Sequence, residues 1–77
     1  MTGPVAGQSI ETARRALATR FEAAGIDSAA LDARMLTGAA LGFDLTGLIA
    51  HGSRQLTRED AARLDAFAQR RLAGEPV

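Results

Sequence analysis

Hydrophobic residues in the first third of the chain recur at three- and four-residue steps, the spacing of one face of an α-helix. The positions of this first run are Ile10, Ala13, Leu17, Phe21 and Ala24. Ser9 is suited to cap the start of such a helix, and Gly25 is suited to the left-handed conformation in which many helices end. The pattern predicts a helix over residues 10–24.

A second helical pattern follows Asp27 and Ser28, either of which can serve as its N-cap. Its hydrophobic positions are Leu31, Met35, Leu36, Ala39 and Ala40. Gly42 ends the pattern, so a helix is predicted over residues 28–41. Gly38 lies inside this helix, where Gly costs about 1 kcal/mol relative to Ala, and we therefore expect a bend or a close helix contact there.

Two more helices are predicted in the second half of the chain. A short one over residues 45–51 is capped by Asp44 and carries Leu45, Leu48 and Ile49. The last one runs over residues 58–73, and its start from Thr57 to Asp60 resembles a capping box. Its hydrophobic face consists of Ala61, Leu64, Phe67, Ala68 and Leu72, whereas Arg63, Asp65, Gln69 and Arg70 are expected to face water.

These elements predict an all-α fold, a small bundle of four, or at most five, short helices. No segment of the sequence shows the alternating pattern of a strand. Residues 1–8 combine small residues with Gly and Pro and are expected to form a disordered tail before a helical domain over residues 9–73. Gly74 and Pro76 are expected to begin a linker over residues 74–77.

Charge and composition narrow the class of protein. The nine basic residues, all of them Arg, balance nine acidic residues, so the chain has no general electrostatic attraction to nucleic acid. The absence of Cys removes disulfides and thiolate metal ligands. No hydrophobic run approaches the roughly 18 residues of a membrane span, and no signal peptide is apparent. The sequence is therefore interpreted as a soluble, cytoplasmic domain.

Candidate chemistry is sparse. His51 is the single histidine, and because no nucleophile motif accompanies it, contacts with solvent or with helix-end carbonyls are favoured over catalysis. The chain has no P-loop and no Gly-rich dinucleotide motif. The acidic residues expected at caps and solvent-exposed faces are Asp27, Asp32, Asp44, Glu59, Asp60 and Asp65. We predict no catalytic, cofactor-binding or metal site in this chain.

Two other classes of protein share part of this pattern. An acyl-carrier domain would attach phosphopantetheine to a Ser at the start of its second helix, as at Ser28, but such domains are strongly acidic and carry Leu where this chain has Ala29. A helix-turn-helix domain needs basic residues on its recognition helix, and residues 45–51 include no Arg or Lys. Both classes are disfavoured, and a free-standing helical interaction module stays an alternative.

The chain contains five segments in a specific order: Ala24–Ser28, Leu31–Leu36, Leu41–Gly42, Leu56–Thr57 and Arg70–Val77. The last segment reads Arg-Arg-Leu-Ala-Gly-Glu-Pro-Val. Together they resemble the N-terminal domain of the PrmC/HemK family, protein-(glutamine-N5) methyltransferases that modify peptide chain release factors. In that family, a string similar to the last segment precedes the methyltransferase domain.

The resemblance implies a helical bundle that helps to engage the release factor, joined in the parent protein to a Rossmann-like domain. That domain binds S-adenosylmethionine and holds the substrate glutamine with an Asn-Pro-Pro-Tyr motif, and this chain has neither that motif nor a Gly-rich cofactor loop. The parent protein is therefore expected to be an enzyme, whereas this chain alone is not. Expected partners are the release factor and the methyltransferase domain of the same protein, with no membrane and no direct nucleic-acid contact.

Two surfaces are candidates for contact with the release factor. The first is the exposed side of the last predicted helix, with Arg63, Arg70 and Arg71. The second is the surface around the short helix over residues 45–51. Either surface would act by orientation, since a rigid helix face can hold one glutamine amide of a partner near a distant pocket.

Overall fold

The computed structural model describes residues 4–74, and these residues form four helices. They are α1 (Ile10–Ala23), α2 (Ala29–Leu41), α3 (Leu45–Ala50) and α4 (Arg58–Leu72). The described residues contain no strand, only an isolated antiparallel bridge between Ser9 and Gln55. The all-α prediction is confirmed, with every helix boundary within one residue of its predicted position. Residues 1–3 of the predicted tail and residues 75–77 of the predicted linker lie outside the described residues.

Three of the helices begin with the side-chain caps predicted from the sequence. Ser9 and Asp44 each accept a hydrogen bond from the backbone N–H three residues further along, at 3.1 and 2.7 Å. Thr57 and Asp60 form a reciprocal capping box with bonds of 3.0 and 3.1 Å. Ser28, one of the two residues predicted to cap α2, occupies the N-cap position. Its hydroxyl makes no capping bond, because its backbone, at φ −96° and ψ 36°, is not extended as at the other three caps.

The central element of the bundle is α2, which packs against each of the other three helices. Its neighbours α1 and α4 contribute the largest fully buried side chains, which are Leu17, Phe21 and Leu64. Thr37 of α2 is also fully buried, and its hydroxyl donates a hydrogen bond to the Ala33 carbonyl oxygen at 2.6 Å. The polar group of Thr37 is therefore paired inside the core.

The buried face of α2 differs from the predicted one. Leu36 and Ala40 are buried as predicted, whereas Leu31, Met35 and Ala39 are exposed. The remaining uncharged positions buried on α2 carry small side chains: Ala29, Ala33, Thr37 and Gly38. Small side chains let the neighbouring helices approach the α2 backbone closely, so the larger Leu31 and Met35 are left outside.

The start of α1 is tied by backbone hydrogen bonds to the connector between α3 and α4. Gly7 N–H donates to the Leu56 carbonyl at 2.9 Å, and Leu56 N–H donates to the Gln8 carbonyl at 2.8 Å. Ile10 N–H donates to the Arg54 carbonyl at 2.9 Å. These bonds hold the beginnings of α1 and α4 side by side.

Gly38 is a point of close contact with the turn after α2 and, at a longer distance, with Leu48 of α3. A Cβ atom built on Gly38 would lie 2.6 Å from the carbonyl oxygen of Phe43. We expect Gly38→Ala to lower the free energy of unfolding by about 1–3 kcal/mol, because overlap with a backbone atom outweighs the gain of about 1 kcal/mol in helix propensity. Urea unfolding followed by circular dichroism measures this change. A Gly38→Ala variant at least as stable as the parent chain would contradict the contact.

Candidate protein-interaction site

Arg63, one of the three candidate arginines, connects α4 to the C-terminal end of α2. Its Nη1 donates a hydrogen bond to the carbonyl oxygen of Ala40 at 3.0 Å. Ala40 lies in the last turn of α2, where carbonyl groups lack helical partners and form the negative end of the helix dipole. Arg63 is exposed, as expected, and its guanidinium also contacts the end of a neighbouring helix.

Arg71 connects α4 to the other end of α2. Its Nε donates to Asp32 Oδ2 at 3.1 Å, and the two side chains are 21% and 9% exposed. The pair joins the last turn of α4 to the first turn of α2. The expectation that Asp32 is solvent-exposed is wrong, because the Arg71 guanidinium and the positive end of the α2 dipole compensate for burial of its carboxylate.

The outer side of α4 also contacts α1. Asp65 Oδ1 lies 3.9 Å from Arg20 Nη1, and Asp65 Oδ2 accepts a hydrogen bond from Gln69 Nε2 at 2.7 Å. Asp65 therefore does not simply face water as expected. Arg70 is exposed, in agreement with the prediction. The structure gives Arg63 and Arg71 a part in holding α4 against α2, and contact of Arg63, Arg70 or Arg71 with a partner protein stays a prediction.

The second candidate surface, around α3, carries large hydrophobic side chains that are exposed. Leu31 and Met35 of α2 and Leu45 of α3 are each more than half exposed, and Ile49 of α3 is 75% exposed. These four residues are named the apolar face. Each helix contributes two residues spaced by four, which places both on the same side of that helix. Its exposed hydrophobic side chains make the apolar face a candidate site of protein interaction.

A groove of about 270 Å³ runs between α2 and α3 and is named the α2–α3 groove. Leu31, Met35 and Leu45 of the apolar face line it, together with Phe43 and Leu48. A larger depression of about 660 Å³ adjoins it, shares Leu45 and Leu48 with it, and includes Ile49. The apolar face is therefore concave as well as hydrophobic, which is the shape that a projecting side chain or helix of another protein can fill.

Phe43 in the wall of the groove is held in place by stacking. The His51 ring lies 5.0 Å from the Phe43 ring, centroid to centroid, at an angle of 16°. Arg54 Cζ lies 5.8 Å from the same centroid. His51 is exposed to solvent, as expected, and its ring also packs against Phe43.

Arg34 is the charged side chain that borders both cavities. It is exposed, and within residues 4–74 it has no hydrogen bond and no ion pair. Asp44, the other charged residue of the α2–α3 groove, already accepts the capping bond of α3. The charged residues Glu11 and Arg14 of the larger depression pair with each other, with 3.8 Å between Glu11 Oε1 and Arg14 Nη2. Of the charged side chains at this site, Arg34 is therefore the one least engaged in hydrogen bonds or ion pairs with other residues of the protein.

Hydrophobic, polar and charged residues together line the two cavities. Their linings present no Gly-rich loop after a strand, the arrangement with which Rossmann-like domains hold adenosine cofactors. Across residues 4–74, no three His, Cys, Asp or Glu side chains are close enough together to hold a metal ion. No helix in the same part of the chain combines the length and hydrophobicity needed to cross a membrane.

Comparison with known proteins decides the family. The family model of the PrmC N-terminal domain matches residues 12–77. The chain belongs to this family. It is 58% identical over 77 residues, 100% of the chain, to a release factor glutamine methyltransferase of Bradyrhizobium diazoefficiens, of which it covers 26%.

Two further relatives of the PrmC N-terminal domain are also named release factor glutamine methyltransferase. The protein of Cereibacter sphaeroides is 45% identical over 65 residues, which are 84% of this chain and 23% of that protein. The protein of Agrobacterium fabrum is 38% identical over 58 residues, which are 75% of this chain and 20% of that protein. The chain thus spans about a quarter or less of the length of the curated relatives it matches. No solved structure matches it.

Membership of the PrmC N-terminal domain family confirms the resemblance found in the sequence. It also gives no support to the acyl-carrier or the helix-turn-helix alternative. In the structure, Ser28 is an exposed residue at the start of α2. The surface around the third helix is one of the two candidates predicted from the sequence. Leu31 and Met35 are not part of that prediction, because the sequence pattern assigns them to the packed face of the second helix.

Proposed function

We propose that this domain helps to bind and orient a peptide chain release factor while a separate domain of the same protein methylates a glutamine of that factor. The observation that carries the proposal is the exposed apolar face in a domain whose relatives are named for their action on release factors. The proposal places the domain in the bacterial cytoplasm, where translation termination takes place. S-adenosylmethionine would be bound by the methyltransferase domain.

The contribution to methylation would be positional. Burial of a large hydrophobic side chain contributes about 1.5–3 kcal/mol, so a few such contacts are enough to hold the release factor during the reaction. A partner fixed in this way presents its glutamine amide to the catalytic pocket with less loss of translational and rotational entropy at the reacting atoms. The domain would thus affect how well the whole release factor is used as substrate, and not the chemistry of methyl transfer.

Replacement of the exposed hydrophobic residues tests this proposal. In the full-length methyltransferase that contains this domain, Met35→Glu with Ile49→Glu is expected to raise KM for intact release factor at least about tenfold, because two apolar contacts are lost. The kcat should stay unchanged, as should kcat/KM for a short glutamine-containing peptide, since a peptide cannot reach this face. Steady-state methylation with both substrates measures these values.

The control is Thr46→Glu, which adds one of the two negative charges of the double variant, at an exposed position of α3 that lines neither cavity. Thr46→Glu should leave KM for release factor unchanged. Because Met35 and Ile49 are exposed, all variants should unfold at the temperature of the parent enzyme. An unchanged KM for release factor in the folded double variant would refute the role of the apolar face.

A further inference from the structure

The backbone around the α2–α3 groove limits the kind of segment that the groove can receive. Its two walls are helices, whose backbone groups are bonded along the helix. Residues 4–74 contain no strand, so the groove offers no open strand edge to an extended peptide. An extended segment would lose the hydration of its N–H and C=O groups without new partners, whereas a helix brings its own hydrogen bonds.

The spacing of the hydrophobic side chains fits the same kind of ligand. Leu31 and Met35 form a ridge one turn apart on α2, and Leu45 and Ile49 form a second ridge one turn apart on α3. Ridges of this spacing are the surfaces between which the side chains of another helix pack. A helix with hydrophobic residues at three- and four-residue steps would place them in the groove, over Phe43 and Leu48.

Arg34 defines the charge that this helix should carry. It borders the groove on α2, one position before Met35, and within residues 4–74 it has no ion pair or hydrogen bond. A hydrophobic helix that docked here would remove part of the water around the guanidinium. A carboxylate on the docked helix would replace that water with a charge-assisted hydrogen bond, whereas a neutral or basic helix would leave Arg34 desolvated.

Resting on the function proposed above, we infer that the α2–α3 groove binds an amphipathic helix of the release factor that carries a carboxylate opposite Arg34. The hydrophobic residues of that helix would supply affinity, and the ion pair would set its direction and register. The carboxylate of Asp44 also lines the groove and would repel a carboxylate of the docked helix. A carboxylate is therefore favoured only on the Arg34 side, and the ion pair with Arg34 selects one orientation of the helix.

The test replaces Arg34 in the full-length enzyme and follows KM for release factor as a function of salt. Arg34→Gln is expected to raise KM about tenfold at low salt, and Arg34→Glu by a larger factor. At about 1 M salt, where the screening length is about 3 Å, the difference between wild type and Arg34→Gln should shrink to about twofold or less. The control is Arg58→Gln, an exposed residue at the start of α4 that lines neither cavity.

Hydrogen exchange followed by a charge swap between the two proteins identifies the docked segment. Hydrogen exchange of the release factor with and without wild-type enzyme should show a protected helix that contains Asp or Glu. Changing that acid to Lys should weaken binding to wild-type enzyme and restore it to Arg34→Glu. Protection of an extended segment, or failure of every acidic residue in the protected helix to give this rescue, would overturn the inference.

This inference can fail alone or together with the function on which it rests, and the two failures give different results. If Met35→Glu with Ile49→Glu raises KM and Arg34→Glu does not, the apolar face binds the release factor. The docked segment then does not carry a carboxylate opposite Arg34, and this inference is wrong. If Arg34→Glu instead lowers methylation of the short peptide or the unfolding temperature of the full-length enzyme, the groove is occupied by the methyltransferase domain of the same protein. That result would overturn both proposals.

Discussion

Phe21→Ala is expected to leave the domain largely unfolded at room temperature. The Phe21 side chain is completely buried at the end of α1, in the core against α2. Removing a buried Phe side chain costs about 3–5 kcal/mol through lost burial and the remaining cavity. A domain of this size without disulfides has a total stability of about the same magnitude, so one such change removes most of it.

Thermal unfolding of the 77-residue chain by circular dichroism measures the effect of Phe21→Ala. Phe67→Ala is the matched control, because it removes the same atoms from a side chain of α4 that is only partly buried. The control should be destabilised by clearly less and retain a cooperative transition. Equal losses for the two variants would show that Phe21 is not the centre of the core.

Arg71→Met is expected to destabilise the domain more than Asp32→Leu, although each removes one half of the same ion pair. Asp32 is only 9% exposed, so without Arg71 its carboxylate is left buried without a counter-charge, at a cost of about 3–5 kcal/mol. Arg71 is 21% exposed, and without Asp32 its guanidinium can turn partly to water. The loss for Asp32→Leu should therefore be about half as large.

The double variant Asp32→Leu with Arg71→Met should recover most of the stability lost by Arg71→Met, because a hydrophobic pair of similar size often replaces a buried ion pair without net loss. Urea unfolding of the four chains gives the coupling energy directly. Arg15→Met is the control, since Arg15 forms an exposed pair with Glu11 that contributes less than about 1 kcal/mol. A double variant that loses the sum of the two single losses would contradict the ion pair.

The positions at which the helices begin and end could be predicted from local sequence, because each boundary depends on residues close to it. Thr57 and Asp60 begin α4 through a box that spans four positions. Gly25 and Gly42 adopt the left-handed conformation after α1 and α2, at φ +83° and +76°. These interactions need no knowledge of the tertiary structure.

The buried face of α2 could not be predicted in the same way. The helix carries two stripes that both look apolar, one with Leu31 and Met35 and one dominated by Ala. Hydrophobicity favours the first stripe, but close packing against three neighbours favours the second. Together the two stripes cover more of the helix than one buried face needs. This excess is the one sign in the sequence that some of these residues lie outside the core.

The roles of the charged residues depended on distant parts of the chain. Asp32 and Arg71 are 39 positions apart, and Arg63 and Ala40 are 23 apart. No local pattern indicates such pairs, so the sequence predicts a solvent-exposed Asp32 and does not indicate the bond from the exposed Arg63 to Ala40. The apolar face is hidden in the sequence for the same reason, because α2 and α3 each hold half of it.

Photo-crosslinking from the apolar face is the most direct test of release-factor binding by this domain. Benzoylphenylalanine would replace Ile49, which is 75% exposed, and separately Arg15 of α1, whose side chain is 70% exposed, in the full-length enzyme. With intact release factor present, we expect a crosslink to the release factor from position 49 and none from position 15. If position 49 crosslinks only to the methyltransferase domain, or to nothing while the release factor is methylated normally, the apolar face does not bind the release factor.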